Sequence, residues 1–195
     1  MAFTLTLTEL MDVVIMSVVV GYIFMDIFRK PRKIGKDYDP LKHLKEKTKS
    51  RFDDFKFAAL VTAPAIILHE LAHKLIAVSF GMQATFHAAY TWLAIGAVLK
   101  LLGTGIIFFV PAFVSITGVM TPLTHSAIAF AGPGMNLLIF VGALLVEKYG
   151  NLDKKYYPFL ILTKRINLFL FIFNMIPLPM FDGFKVFQGL LQTFM

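Results

Sequence analysis

Four stretches of this chain, 11–28, 57–80, 125–146 and 157–176, stay apolar over lengths that reach across a lipid bilayer. A hydrocarbon core about 30 Å thick takes roughly 20 helical residues to cross. Lipid offers no hydrogen-bonding partners, so a segment inside it must close its backbone bonds on itself, as a helix does. Composition agrees: 57 % of the 195 residues are hydrophobic and only 16 % are charged, against about a quarter in a soluble domain. The fold class expected is an all-α polytopic membrane protein with about five to six transmembrane helices. Residues 91–103 are apolar but too short for a full span, which suits a re-entrant or interfacial piece. A last apolar stretch, 184–195, also falls short of a full span.

The remaining segments punctuate this pattern. The first span is not a cleavable signal peptide, because its start is acidic (Glu9, Asp12) and its basic residues come after the apolar run. It reads as a retained anchor. Residues 29–51 hold ten Lys/Arg against three acids, and a basic segment between two spans marks the cytoplasmic side. The segment 29–56 is therefore expected to be a cytoplasmic loop, broken by Pro31, Gly35 and Pro40, with anionic lipid headgroups as neighbours. The net charge of +7 is thereby assigned to orientation, and nucleic acid is not expected as a partner. Residues 82–89 are strand-like, and 103–118 is rich in β-branched and aromatic residues between glycines. A small membrane-associated β element is expected there, between the second and third long spans. The whole, 1–195, reads as one domain with a core over 57–183.

The chemistry lies in "HELAH", residues 69–73. His69 and His73 are four apart, so on a helix they share one face and can reach one metal ion. Glu70 follows the first, which places a carboxylate beside the open coordination position, where it can take a proton from water. An ionisable group in mid-span costs about 2.5 kcal/mol or more, so three on one turn call for a function. With no cysteine in the chain, any metal is held by His, Asp or Glu. A catalytic zinc site has three protein ligands and one open position. Asp182, in "NMIPLPMFDG" (174–183), is the leading candidate for the third, because two prolines break the apolar segment just before it. The same Asp-Gly pair also suits a tight turn. His87, His125 and His43 are weaker candidates, in a strand-like stretch, at the start of a span and in the basic segment. Lys164 and Arg165 fall inside a presumed span and are read as snorkelling toward its end.

HELAH at 69–73, "AGPGMN" at 131–136 and NMIPLPMFDG at 174–183 together resemble the site-2 protease family of intramembrane zinc metalloproteases, over roughly residues 57–190. The resemblance implies one Zn2+ per chain held by His69, His73 and Asp182, with Glu70 as general base. It implies a core of three helices, one from each motif, and substrates that are themselves transmembrane segments of other proteins, cut within the bilayer of the cell membrane. Asn136 then has two readings: an amide that binds substrate or the developing oxyanion, or a hydrogen bond between helices. Asn174 admits the same two. Gly132 and Gly134 read as points of close helix approach.

Overall fold

The computed structural model describes residues 3–29, 40–105 and 110–195, with the backbone alone for 40–50. Within these residues six α-helices and two strands follow one another as α1 (Leu7–Phe24), α2 (Pro40–Ser79), β1 (Gln83–Ala88), α3 (Tyr90–Leu101), β2 (Ala112–Thr117), α4 (Pro122–Tyr149), α5 (Tyr157–Asn174) and α6 (Asp182–Phe194), with one 3₁₀ turn before α5. Four helical stretches among these residues are long and apolar enough to cross a membrane: Leu7–Phe24, Arg51–Ser79, Pro122–Tyr149 and Lys154–Asn174. α3 and α6 are shorter, at 12 and 13 residues.

The β element is a two-stranded antiparallel hairpin in which Gln83 pairs with Thr117 and Ala88 with Ala112. It lies between the second and third of the long helices, with α3 inserted between its strands.

One boundary differs from the sequence reading. The segment 29–56 does not stay a loop, because α2 begins at Pro40 and runs unbroken through it into the apolar half. Pro40 occupies the first helical position, where its missing N–H is no loss and its fixed φ suits the turn. The residues after it are largely Lys, Leu and Glu, which are good helix formers. Residues 30–39 and the side chain of His43 lie outside the described part.

α1 starts on a capping box: Glu9 N–H donates to Thr6 Oγ1 (3.2 Å) while Thr6 N–H donates to Glu9 Oε2 (2.8 Å), satisfying two end donors reciprocally. Its buried face, Met16 and Val20, packs with Phe86, Ala88, Leu93 and Ala112 of the hairpin and α3. Gly21 lets α1 approach α2 closely, since a β-carbon there would lie 2.7 Å from that of Ala59. α4 sits at the centre of the other half, against α2, α5 and α6. It opens on Thr121, whose hydroxyl accepts from Thr124 N–H (3.2 Å), with Pro122 at its first position. α5 and α6 are separated by the Pro177 and Pro179 break, so that Asp182 heads the last helix. Lys164 on α5 pairs with Glu147 on α4, and Arg165 is exposed.

Candidate metal centre

Two elements bring three ligand-type side chains together. His69 and His73 project from one face of α2, and Asp182 reaches them from the start of α6. One candidate ligand atom from each lies within 4.8 Å of the others. His69 Nε2 is 3.1 Å from His73 Nε2, and Asp182 Oδ2 is 3.1 Å from the former and 3.2 Å from the latter. Four ligands at about 2.0–2.1 Å from a zinc ion, placed tetrahedrally, are roughly 3.3–3.4 Å apart. The observed triangle is close to one face of that tetrahedron.

The far sides of the two imidazoles decide which nitrogen can bind. His73 Nδ1–H donates to the carbonyl of Ile128 on α4 (2.7 Å). His69 Nδ1 lies 2.6 Å from Asn136 Oδ1. The Asn136 amide nitrogen donates elsewhere, to Ala65 O (3.1 Å) and Asn167 Oδ1 (2.9 Å), so its oxygen is the acceptor and His69 Nδ1 carries the proton. Both rings are thus held as the tautomer that turns the Nε2 lone pair inward, the arrangement by which metal-ligating histidines are oriented. Asp182 Oδ2 faces both inward nitrogens from a largely buried position. An anion and two lone pairs converge on one point, and a cation there reconciles them.

Gly132 keeps that point open. Its helix, α4, crosses directly against the two histidines, and a β-carbon at 132 would overlap the Nε2 atoms of both. The glycine does more than let helices approach: any side chain would fill the space the inward nitrogens face.

A cavity of about 430 Å³ opens in front of the three donors. His69, Glu70 and His73 border it from α2, Asp182 and Lys185 from α6, His125 from α4, and Asn174 from the end of α5. Much of the rest of its wall is apolar, including Ile66, Phe113, Phe169, Phe173 and Phe181. Glu70 is partly buried and shares the cavity with the donor nitrogens of its neighbours. Lys185 Nζ lies 3.9 Å from Asp182 Oδ1, the oxygen turned away from the histidines.

Asn136 departs from one of its expected readings. It is fully buried behind His69, and its oxygen and nitrogen are both engaged by protein groups, so it has nothing to present to a substrate. The oxyanion role does not fit, and the reading as a hydrogen bond between helices does. Asn174 borders the cavity, with its amide donating to Leu170 O one turn back (2.9 Å). His125 borders the cavity too, and His87 lies elsewhere, on the hairpin beside Ser115 (2.9 Å).

Sequence reasoning passed over Asn167, which is buried and supports Asn136. A polar amide inside an apolar span is the signal that marks it. Lys185, three residues after Asp182, was also passed over; helical spacing from a ligand is its only signal. Replacing Asn136 by Ala is expected to weaken zinc binding by about 10–100-fold, the usual cost of removing a group that orients a ligand. Competition with a chelator of known affinity measures this.

No family model matches the chain and no solved structure matches it. Among curated proteins it is similar to one from Methanocaldococcus jannaschii that carries the name "Putative zinc metalloprotease". The two are 37 % identical over 138 residues, which is 69 % of this chain and 70 % of that protein. With that likeness and a His-His-Asp donor set in a cavity, the chain belongs to this zinc metalloprotease family.

Proposed function

We propose that the protein is an intramembrane zinc endopeptidase of the site-2 protease type, cutting transmembrane segments of other membrane proteins within the cell membrane. The observation that carries this reading is the position of the donor triangle and Glu70. They face one largely apolar cavity, and two of the donors and Glu70 sit in a helix of membrane-crossing length. An apolar segment drawn from lipid is matched by such a wall. The basic segment 29–56 is assigned to the cytoplasmic side, and one Zn2+ per chain to His69, His73 and Asp182.

Zinc, when bound, would supply Lewis acidity, lowering the pKa of water at its open position and polarising a carbonyl. The chain's own residues do the rest. Asn136 and the Ile128 carbonyl hold the two imidazoles in the metal-binding tautomer. Glu70 takes a proton from the attacking water and returns it to the amine that leaves. Phe173, Phe181 and the apolar wall around them would limit bulk water at the reacting atoms.

A helical substrate keeps its peptide bonds hydrogen-bonded and must be unwound before attack. The hairpin offers the unwound stretch a partner. Phe86 N–H points away from β2, toward Glu9 (2.8 Å). Phe86 and its partner Val114 therefore form a non-hydrogen-bonded pair, in which the peptide groups of Val114 point outward as well. Ala112, Val114 and Ile116 alternate in step, and all three border the cavity. Among the described residues no further strand pairs with this side of β2, so their outward groups form an open edge on which an extended peptide can pair.

The test is incubation of the zinc-loaded protein in detergent with a model transmembrane segment. Cleavage inside the apolar stretch, stopped by a zinc chelator, is the result expected. Intact substrate in the presence of one bound zinc per chain would overturn the reading in favour of a non-catalytic metal carrier or scaffold.

A further inference from the structure

The molecule holds a second buried charged cluster, separate from the donor triangle. Glu9 of α1 and Lys74 of α2 are 1 % and 3 % exposed and form an ion pair. The Lys74 ammonium also donates to Thr4 O (2.7 Å), and Glu9 Oε1 accepts from Phe86 N–H of β1. One carboxylate therefore joins three elements: α1 through the capping box, α2 through Lys74, and the hairpin through Phe86. Lys74 directly follows His73, so this joint sits on the turn of α2 that carries the second histidine. One turn further along α1, Asp12 adds another tie to the hairpin region, accepting from the Tyr90 hydroxyl and lying 3.9 Å from His87 Nδ1.

Burying two charges is expensive, and exchanging such a pair for apolar side chains of similar size is often neutral or stabilising. Holding α1 to α2 does not call for ions here, because Gly21 and Ala59 already bring the helices into contact and Met16 and Val20 are fully buried. What an apolar pair could not supply is an acceptor for Phe86 N–H. That bond fixes which way the peptide groups of β1 point and, through the register, the height of β2 along the cavity.

We propose that Glu9 is a positioning residue for substrate, its side-chain oxygen setting the β1–β2 hairpin, and so the open edge of β2, against the His69–His73 turn, while Lys74 balances the buried charge of its carboxylate. This rests on the reading of the β2 edge as the substrate's docking strand. It makes α1 part of the catalytic unit and not only an anchor.

The experiment compares Glu9→Leu/Lys74→Met with Glu9→Gln/Lys74→Met, in which an amide oxygen remains for Phe86 N–H. Zinc content, KM and kcat on the transmembrane segment are measured for both. Spin labels at Leu75→Cys and Ser115→Cys, introduced into a chain with no cysteine of its own, report the distance between α2 and β2 without any turnover. The Leu/Met pair is expected to keep its zinc and its kcat, to raise KM by about tenfold or more as lost docking does, and to broaden the distance distribution. The Gln/Met pair is expected to return both readings to within about threefold of the starting protein. Unchanged KM and an unchanged distribution in the Leu/Met pair would overturn the proposal, since the ion pair would then be packing alone. If the Leu/Met pair does not fold, a raised KM or a broadened distribution in the Gln/Met pair overturns it equally. Absence of cleavage by the unsubstituted protein would refute the protease reading, while the spin-label distances would still decide the positioning of the hairpin.

Discussion

Glu70→Gln is expected to remove turnover while leaving zinc bound. The substitution keeps the size of the side chain and its place in the cavity beside His69 and His73, and takes away only the ability to accept and return a proton. General acid–base groups contribute about 10²–10⁴ in rate, so a fall within or beyond that range is expected in kcat. None of the three donors of the triangle is Glu70, so zinc stoichiometry by atomic absorption should stay at one per chain. The paired measurement is what gives the result meaning. Lost activity with lost zinc would make Glu70 a ligand or a structural element, and residual activity near the starting level would exclude it as the base.

Gly132→Ala is expected to have the opposite signature, in which the metal goes first. A single methyl at 132 would overlap both Nε2 atoms, and neither ring can turn aside without giving up its Nδ1 bond to Asn136 or Ile128. Removing one ligand-orienting bond costs about 10–100-fold in affinity; displacing two ligands at once should exceed the upper end of that range. Zinc content after dialysis against a weak chelator reads the effect, and activity falls with it. Gly134→Ala is the control on the same helix. A β-carbon there would meet the flexible ring of Phe130 at 3.2 Å and no donor atom, so zinc content should hold. Equal zinc loss in both variants would point to a disturbed α4 and not to a filled metal site.

The parts of this molecule that could be read from sequence are those whose physics is local. Membrane-crossing helices announce themselves by uninterrupted apolar length, and His69 and His73 share a face because their spacing is a helical turn. The Pro177–Pro179 break ahead of Asp182 is likewise local. Pro40 was misleading because a proline that interrupts a helix and one that begins it look alike until the next twenty residues are known to be helical. The rest depends on what lies across a helix crossing. Asn136 belongs to His69 because α2 and α4 meet there, 67 positions apart in the chain, and an amide in an apolar span does not say which way it faces. Glu9 and Lys74, 65 positions apart, look like an anchor's acidic start and a stray lysine until α1 and α2 are placed side by side.

The 40-residue length of α2 makes it a plumb line. At 1.5 Å per residue it is about 60 Å long, against about 30 Å of hydrocarbon, so roughly half of it stands clear of the lipid tails. Its outer half carries five of the ten basic residues of 29–51, and the proposed cytoplasmic placement would bring them toward anionic headgroups. Arg51 and His69 are then at most about 27 Å apart along the helix, with Pro64 between them. On the intramembrane reading proposed above, where the charges come to rest would set how deep the histidines hang, and a bilayer of different thickness or surface charge would present a different stretch of substrate to them.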